Sequence, residues 1–121
     1  MYQPGNNEYA SFYEGYIQQV KGQEIIAFLE KQADSLEKFF DAIPGEKHDF
    51  AYAEGKWTVK EVLSHIIDTE RVMTYRALRF SRGDQTGLPG FDQDLYVRNT
   101  EVTNVPFADL VKEFSLLRRA N

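Results

Sequence analysis

"GKWTVKEVLSHIIDTERV", residues 55–72, decides how the rest of the chain is read. Thr58 is followed three residues later by Glu61. That spacing is a capping box, in which the two side chains satisfy each other's unpaired amides at a helix start. Val59, Val62, Leu63, Ile66, Met73, Ala77 and Phe80 then recur in one stripe at helical period. The pattern predicts a helix from Thr58 to about Ser81, ended by Arg82-Gly83-Asp84. Just before its cap stands the only tryptophan, Trp57, and within it lies His65, one of two histidines.

Upstream, "QEIIAFLEKQADSLEKFFDAI" (23–43) repeats the same logic. Ile25, Ile26, Phe28, Leu29, Ala33, Leu36, Phe39, Phe40 and Ile43 make a broad apolar stripe, and Pro44-Gly45 stops it. "PGEKHDFAYAEGK" (44–56) reads as a polar connection, with His48 facing solvent. Further upstream, "NEYASFYEGYIQQV" (7–20) is a third periodic segment, rich in aromatics and weakened by Gly15. It is expected as a short aromatic helix lying across a larger unit, with a lid over a site as the sharper alternative.

Downstream, "GDQTGLPGFDQDLYVRNTEVTNV" (83–105) reads as a long crossover, with a helical turn in "FDQDLYV". Connections of that length are uncommon in compact domains and often carry function. Pro106 suits the first helical position of a last helix, "PFADLVKEFSLLRRAN". Its apolar face is Phe107, Leu110, Val111, Phe114 and Leu117. The fold class is therefore all-α: three long helices plus a short N-terminal aromatic helix, in one domain spanning 1–121. Helical bundles usually close with four long helices. The chain is thus expected to be a fragment, or to borrow its fourth helix from a partner in a homodimer.

Composition narrows the function classes. There is no cysteine, hence no disulfide and no thiolate metal site. Net charge is −5, which disfavours binding to a phosphate backbone. Arg71, Arg76, Arg79 and Arg82 form the densest basic cluster, expected as a solvated helix face that complements the helix dipole. No apolar run approaches the roughly 20 residues needed to span a bilayer. The N-terminus carries neither a basic start nor an apolar core of a signal peptide, and a cytoplasmic protein is expected.

Two residues stand out on the central helix. His65 lies on the flank of the apolar stripe, beside Thr69, Val72 and Arg76. It can be a boundary histidine with a satisfied hydrogen bond, a catalytic base or a metal ligand; a metal site needs at least three side chains. Glu70 falls inside the stripe, where a carboxylate must be paired, coordinated or protonated. A basic group from another helix would answer that need. Asp68 points away from the stripe.

"YAEGKWTVKEVLSHIIDTERVMTYRALRFSRGDQTGLPGF" (52–91) resembles the DinB/YfiT-like superfamily, named after a DNA-damage-inducible gene. The matching pattern is Gly55-Lys56-Trp57-Thr58, then His65, Asp68 and Glu70-Arg71, and "YASFYEGYI" is similar to the group's N-terminus. The resemblance implies a DinB-like up-and-down four-helix bundle with a long crossover. It also implies a divalent metal, nickel or zinc, held by three histidines. His65 aligns with the first, and the other two belong to a His-x-x-x-His-type motif on a last helix, a motif this chain lacks. Characterised relatives include thiol-dependent S-transferases and isomerases using low-molecular-weight thiols, which such a metal would hold as thiolates. Two functions follow as expectations. One is a metal-dependent enzyme of the thiol S-transferase or hydrolase kind, its site incomplete in this chain, with His65 as a ligand and Glu70 orienting it or opposing it. By itself this chain is then expected to hold no metal. The other is a metal-free helical interaction or dimerisation module. No nucleic-acid or membrane partner is expected.

Overall fold

A computed structural model describes residues 3–121. Among them are five α-helices and no strand: α1 (Glu14–Gln19), α2 (Ile25–Asp41), α3 (Val59–Ser81), α4 (Gln93–Asn99) and α5 (Phe107–Ala120). Single 3₁₀ turns occupy Ser11–Tyr13, Gly45–Lys47 and Val102–Asn104. The chain divides into two compact units, one ending at Gln32 and one covering Ala33–Asn121.

In the first unit the predicted helix over 7–20 shrinks to α1 and the 3₁₀ turn before it. Local polar contacts compete with helix at its start. The Gly5 amide donates to Glu8 Oε2 at 2.6 Å, and Tyr9 Oη donates to Glu14 Oε2 at 2.7 Å. The Glu14 carboxylate pushes the Tyr9 phenol up, and Tyr9 and Gln18 hold Glu14 down. The rings of Phe12, Tyr13 and Tyr16 cluster with centroids 5.1 to 6.5 Å apart, yet Phe12 and Tyr16 stay exposed.

The second unit holds the core: Phe40, Leu63, Ile67, Val102, Phe107, Leu110, Val111 and Phe114. Phe40 meets Phe107 and Phe114 edge to face, at 6.4 and 5.9 Å. Such pairs add a little beyond their area burial. Cross-helix contacts fix the directions. Asp34 meets Arg119, Glu37 meets Ser115 and Phe40 meets Phe114 and Phe107, so α2 and α5 are antiparallel. Lys60 meets Thr103, Arg71 meets Glu113 and Glu70 meets Arg118, so α3 and α5 run the same way. Parallel neighbours need a crossover, and residues 82–106 supply it, carrying α4 and a 3₁₀ turn. α4 is a two-turn helix rather than a single turn. Asp92 caps it by accepting from the amides of Asp94 and Leu95, both at 3.0 Å, and Val97 buries against the rest.

The start of α3 follows the sequence reading. Thr58 Oγ1 accepts from the Glu61 amide at 3.2 Å, and Glu61 Oε2 accepts from the Thr58 amide at 2.7 Å. The buried face is rotated from the expected stripe. Lys60, Leu63, Ser64 and Ile67 are buried, whereas Val62, Met73 and Phe80 are exposed. The reason is the neighbour: α5 and the turn at 102–104 pack on the Leu63–Ile67 side. Lys60 tolerates burial because its ammonium donates to the Thr103 carbonyl at 3.0 Å and lies 3.4 Å from Asp49.

α3 ends as expected, with Gly83 at a φ of 67°. A latch secures that end. Arg79 pairs with Asp84, donates to Tyr75 Oη at 3.1 Å and to the Thr86 carbonyl at 3.0 Å. These contacts hold the Asp84 carboxyl down at about 2, the Arg79 hydrogen bond being the largest cause. Pro106 sits at the N-cap of α5 instead of the first helical position, its backbone extended (ψ 133°) and its carbonyl accepting from Asp109. No helix among the described residues is long and apolar enough to cross a membrane.

Candidate functional site

Trp57 and His65 form one unit. The capping box fixes where α3 begins, and so fixes the indole one residue before the cap against the imidazole two turns in. The two rings are 4.9 Å apart, inclined at 51°. Both residues are half-buried. Among the described residues this ring contact is what His65 touches specifically; neither ring nitrogen is tied down by a hydrogen bond. The satisfied boundary histidine of the sequence reading therefore does not hold in its hydrogen-bonded form. His65 borders a shallow cleft of about 200 Å³ with Ile66, Thr69, Glu70, Met73 and Arg118. Within it Thr69 Oγ1 is buried and has no hydrogen-bond partner.

Glu70 has the basic partner that its position demanded. Its Oε2 lies 2.8 Å from Arg118 on α5, and its Oε1 accepts from Asn121 Nδ2 at 3.0 Å. The Glu70 and Arg118 side chains are only 16% and 13% exposed, so this is a mostly desolvated pair rather than a surface one. Arg118 also lies over the Phe114 ring, 5.4 Å from its centroid. A carboxylate committed to a guanidinium is a poor ligand, and no hydrogen bond joins it to the His65 ring. Asp68 turns the other way, 3.6 Å from Arg71.

The metal that the resemblance implies needs at least three ligands. Among the described residues no group of three or more His, Cys, Asp or Glu could hold a metal ion. His65 offers one imidazole, and Glu70, which shares its cleft, is paired with Arg118. The described residues alone do not fit the group.

His48 is not the solvent-facing residue expected. Its ring stacks on Phe107 with centroids 3.9 Å apart and planes 22° from parallel. Its Nε2–H donates to the Ile43 carbonyl at 3.1 Å, and its own carbonyl accepts from the Lys60 amide. It staples the 44–58 connection to the core and is remote in role from His65. Three of the four arginines of the basic cluster are likewise engaged: Arg71 with Glu113, Arg76 with the Pro89 carbonyl at 3.0 Å, Arg79 with Asp84. Guanidiniums so committed make a poor phosphate-binding stripe.

Sequence reasoning did not locate a second concavity, although the 14% aromatic content suggests a well-filled core or an aromatic-lined pocket. Phe39, Ile43, Phe50, Tyr52, Trp57 and Val62 line a cavity of about 570 Å³, with Lys56 and Asp94 also on its wall. The signal available was the aromatic content of 44–57, which reads as loop until the fold brings it against α2 and α3.

A model of the DinB superfamily matches residues 29–121. No curated protein and no solved structure matches the chain.

Proposed function

This chain belongs to the DinB superfamily, and from that premise we propose that it is the scaffold of a metal-dependent enzyme of the thiol S-transferase or hydrolase kind. His65 contributes one imidazole to a divalent metal, nickel or zinc, and the remaining ligands come from outside the described residues. The observation that carries this reading is the state of His65: half-buried on α3, held by the Trp57 ring, with both nitrogens free of hydrogen bonds. His48, by contrast, has its ring nitrogen committed to the Ile43 carbonyl. Glu70 does not serve as a ligand; through Arg118 it ties the cleft to α5. The thiol would enter as a co-substrate.

A second reading is a metal-free homodimerisation module. It is favoured by the exposure of Phe39, Val62, Met73, Phe80 and Leu116, all large and apolar. Metal analysis after loading with nickel or zinc, on the natural protein and on His65→Ala, separates the two. Metal content that falls with His65→Ala supports the first reading, and unchanged stoichiometric metal in the variant sinks it. Sedimentation of the 121-residue chain tests the second: a compact monomer at all concentrations removes it.

A further inference from the structure

The large cavity shares Trp57 with the His65 site but is otherwise separate from it. Its volume, about 570 Å³, falls inside the roughly 300–1,000 Å³ typical of small-molecule sites. The buried Phe40 lines it together with the exposed rings of Phe39, Phe50 and Tyr52 and the half-buried Trp57. Ring edges and faces at this density favour a flat π-system over an alkyl chain, because the quadrupoles pair edge to face. Two charged side chains of opposite sign, Lys56 and Asp94, reach the wall from the segment before α3 and from α4. Both are exposed, and neither side chain is engaged by another. An apolar body with a few convergent polar groups is what a ligand with one polar end requires.

We propose that this cavity binds a small planar aromatic molecule, its ring among Phe39, Phe50 and Trp57 and its polar substituent at Lys56 and Asp94. The binding does not depend on the function proposed above, although Trp57 also packs on the His65 ring.

The test uses the 121-residue chain and three probes: 2-naphthoate, its uncharged counterpart 2-naphthalenemethanol, and the non-aromatic cyclohexanecarboxylate. Calorimetry measures affinity. Because Trp57 is the only tryptophan, its indole N–H gives a single resonance that reports directly from the wall. Saturable one-to-one binding of both naphthalenes that moves this resonance, with cyclohexanecarboxylate at least tenfold weaker, is expected. Val62→Trp fills the cavity and should weaken both naphthalenes at least tenfold. The milder Phe39→Leu and Phe50→Leu, at exposed positions, should weaken them severalfold with helix content unchanged. Lys56→Gln should cost naphthoate up to about fivefold, the range for an exposed charge pair, and leave the alcohol unaffected. Arg82→Gln, at an exposed position outside the cavity, should leave naphthoate affinity within twofold. Failure of metal binding with retained naphthalene binding rejects the earlier reading and keeps the cavity. The proposal is overturned if the naphthalenes do not saturate, if cyclohexanecarboxylate binds as well, or if Phe39→Leu and Phe50→Leu change nothing. It is equally overturned if raising protein concentration alone moves the Trp57 resonance, since a second copy then fills the cavity.

Discussion

Replacing Glu70 by Ala removes the carboxylate that faces Arg118 and leaves the guanidinium, only 13% exposed, without it. Breaking one side of a fully buried pair costs about 3–5 kcal/mol, and exposed pairs contribute about 0–1 kcal/mol. With side chains at 16% and 13% exposure, this pair sits nearer the buried limit, and about 2–3 kcal/mol is expected. The lost Asn121 contact at 3.0 Å lies within that range. For a chain of 121 residues this corresponds to a fall in Tm of roughly 10 °C. Thermal unfolding followed by circular dichroism measures it. Glu70→Met combined with Arg118→Met removes both charges and should recover most of the loss, since apolar replacement of a desolvated pair is often neutral. A Glu70→Ala variant within 2 °C of the natural protein would refute the reasoning. Glu70 would then be held for the His65 cleft rather than for the fold.

Thr58→Ala breaks the capping box and should cost about 1 kcal/mol, read from urea midpoints; Thr58→Ser should recover it. Phe114 is fully buried between Phe40 and Arg118, and Phe114→Ala should cost about 3–5 kcal/mol and broaden tertiary NMR signals. Gly83 has φ of 67°, so Gly83→Ala should cost about 1 kcal/mol, and Gly83→Asn less, by the same midpoints. Asp84 has a carboxyl pKa in the folded state of about 2, below its unfolded value near 4. Its contribution is therefore complete above pH ~4 and disappears as pH falls through about 2. The stability gap between the natural protein and Asp84→Asn should narrow across that window and stay constant from pH 5 to 7.

What the sequence revealed was mostly local. The Thr58–Glu61 box, the Gly83 stop and the Pro44-Gly45 stop are chemistry within a few residues, and each holds in the structure. Helical period reported that α3 is amphipathic, but the angle of its buried face depends on where α5 lies. That is why Ile67 is core while Met73 is not. Glu70 was legible as a residue needing a cation, because desolvation sets that demand whatever the fold; Arg118 as the answer required the parallel packing of α3 and α5. His48 was misread because stacking on Phe107 joins the 44–58 connection to a helix beyond the crossover. The Trp57–His65 contact could have been found. The two positions flank a cap that fixes the geometry between them.

The shared direction of α3 and α5 also sets an order of events in folding. Contacts such as Arg71 with Glu113 join residues 42 apart in the chain, and closing such a loop costs roughly 3 kcal/mol of chain entropy before the contact returns anything. The latch at Arg79, Asp84 and Thr86, with Arg76 on the Pro89 carbonyl, can form first, because its partners are at most 13 residues apart. By fixing the crossover's first segment against α3, it shortens the loose loop left to close. Loosening this latch should therefore slow folding more than it speeds unfolding, although it lies far from the core that folding assembles.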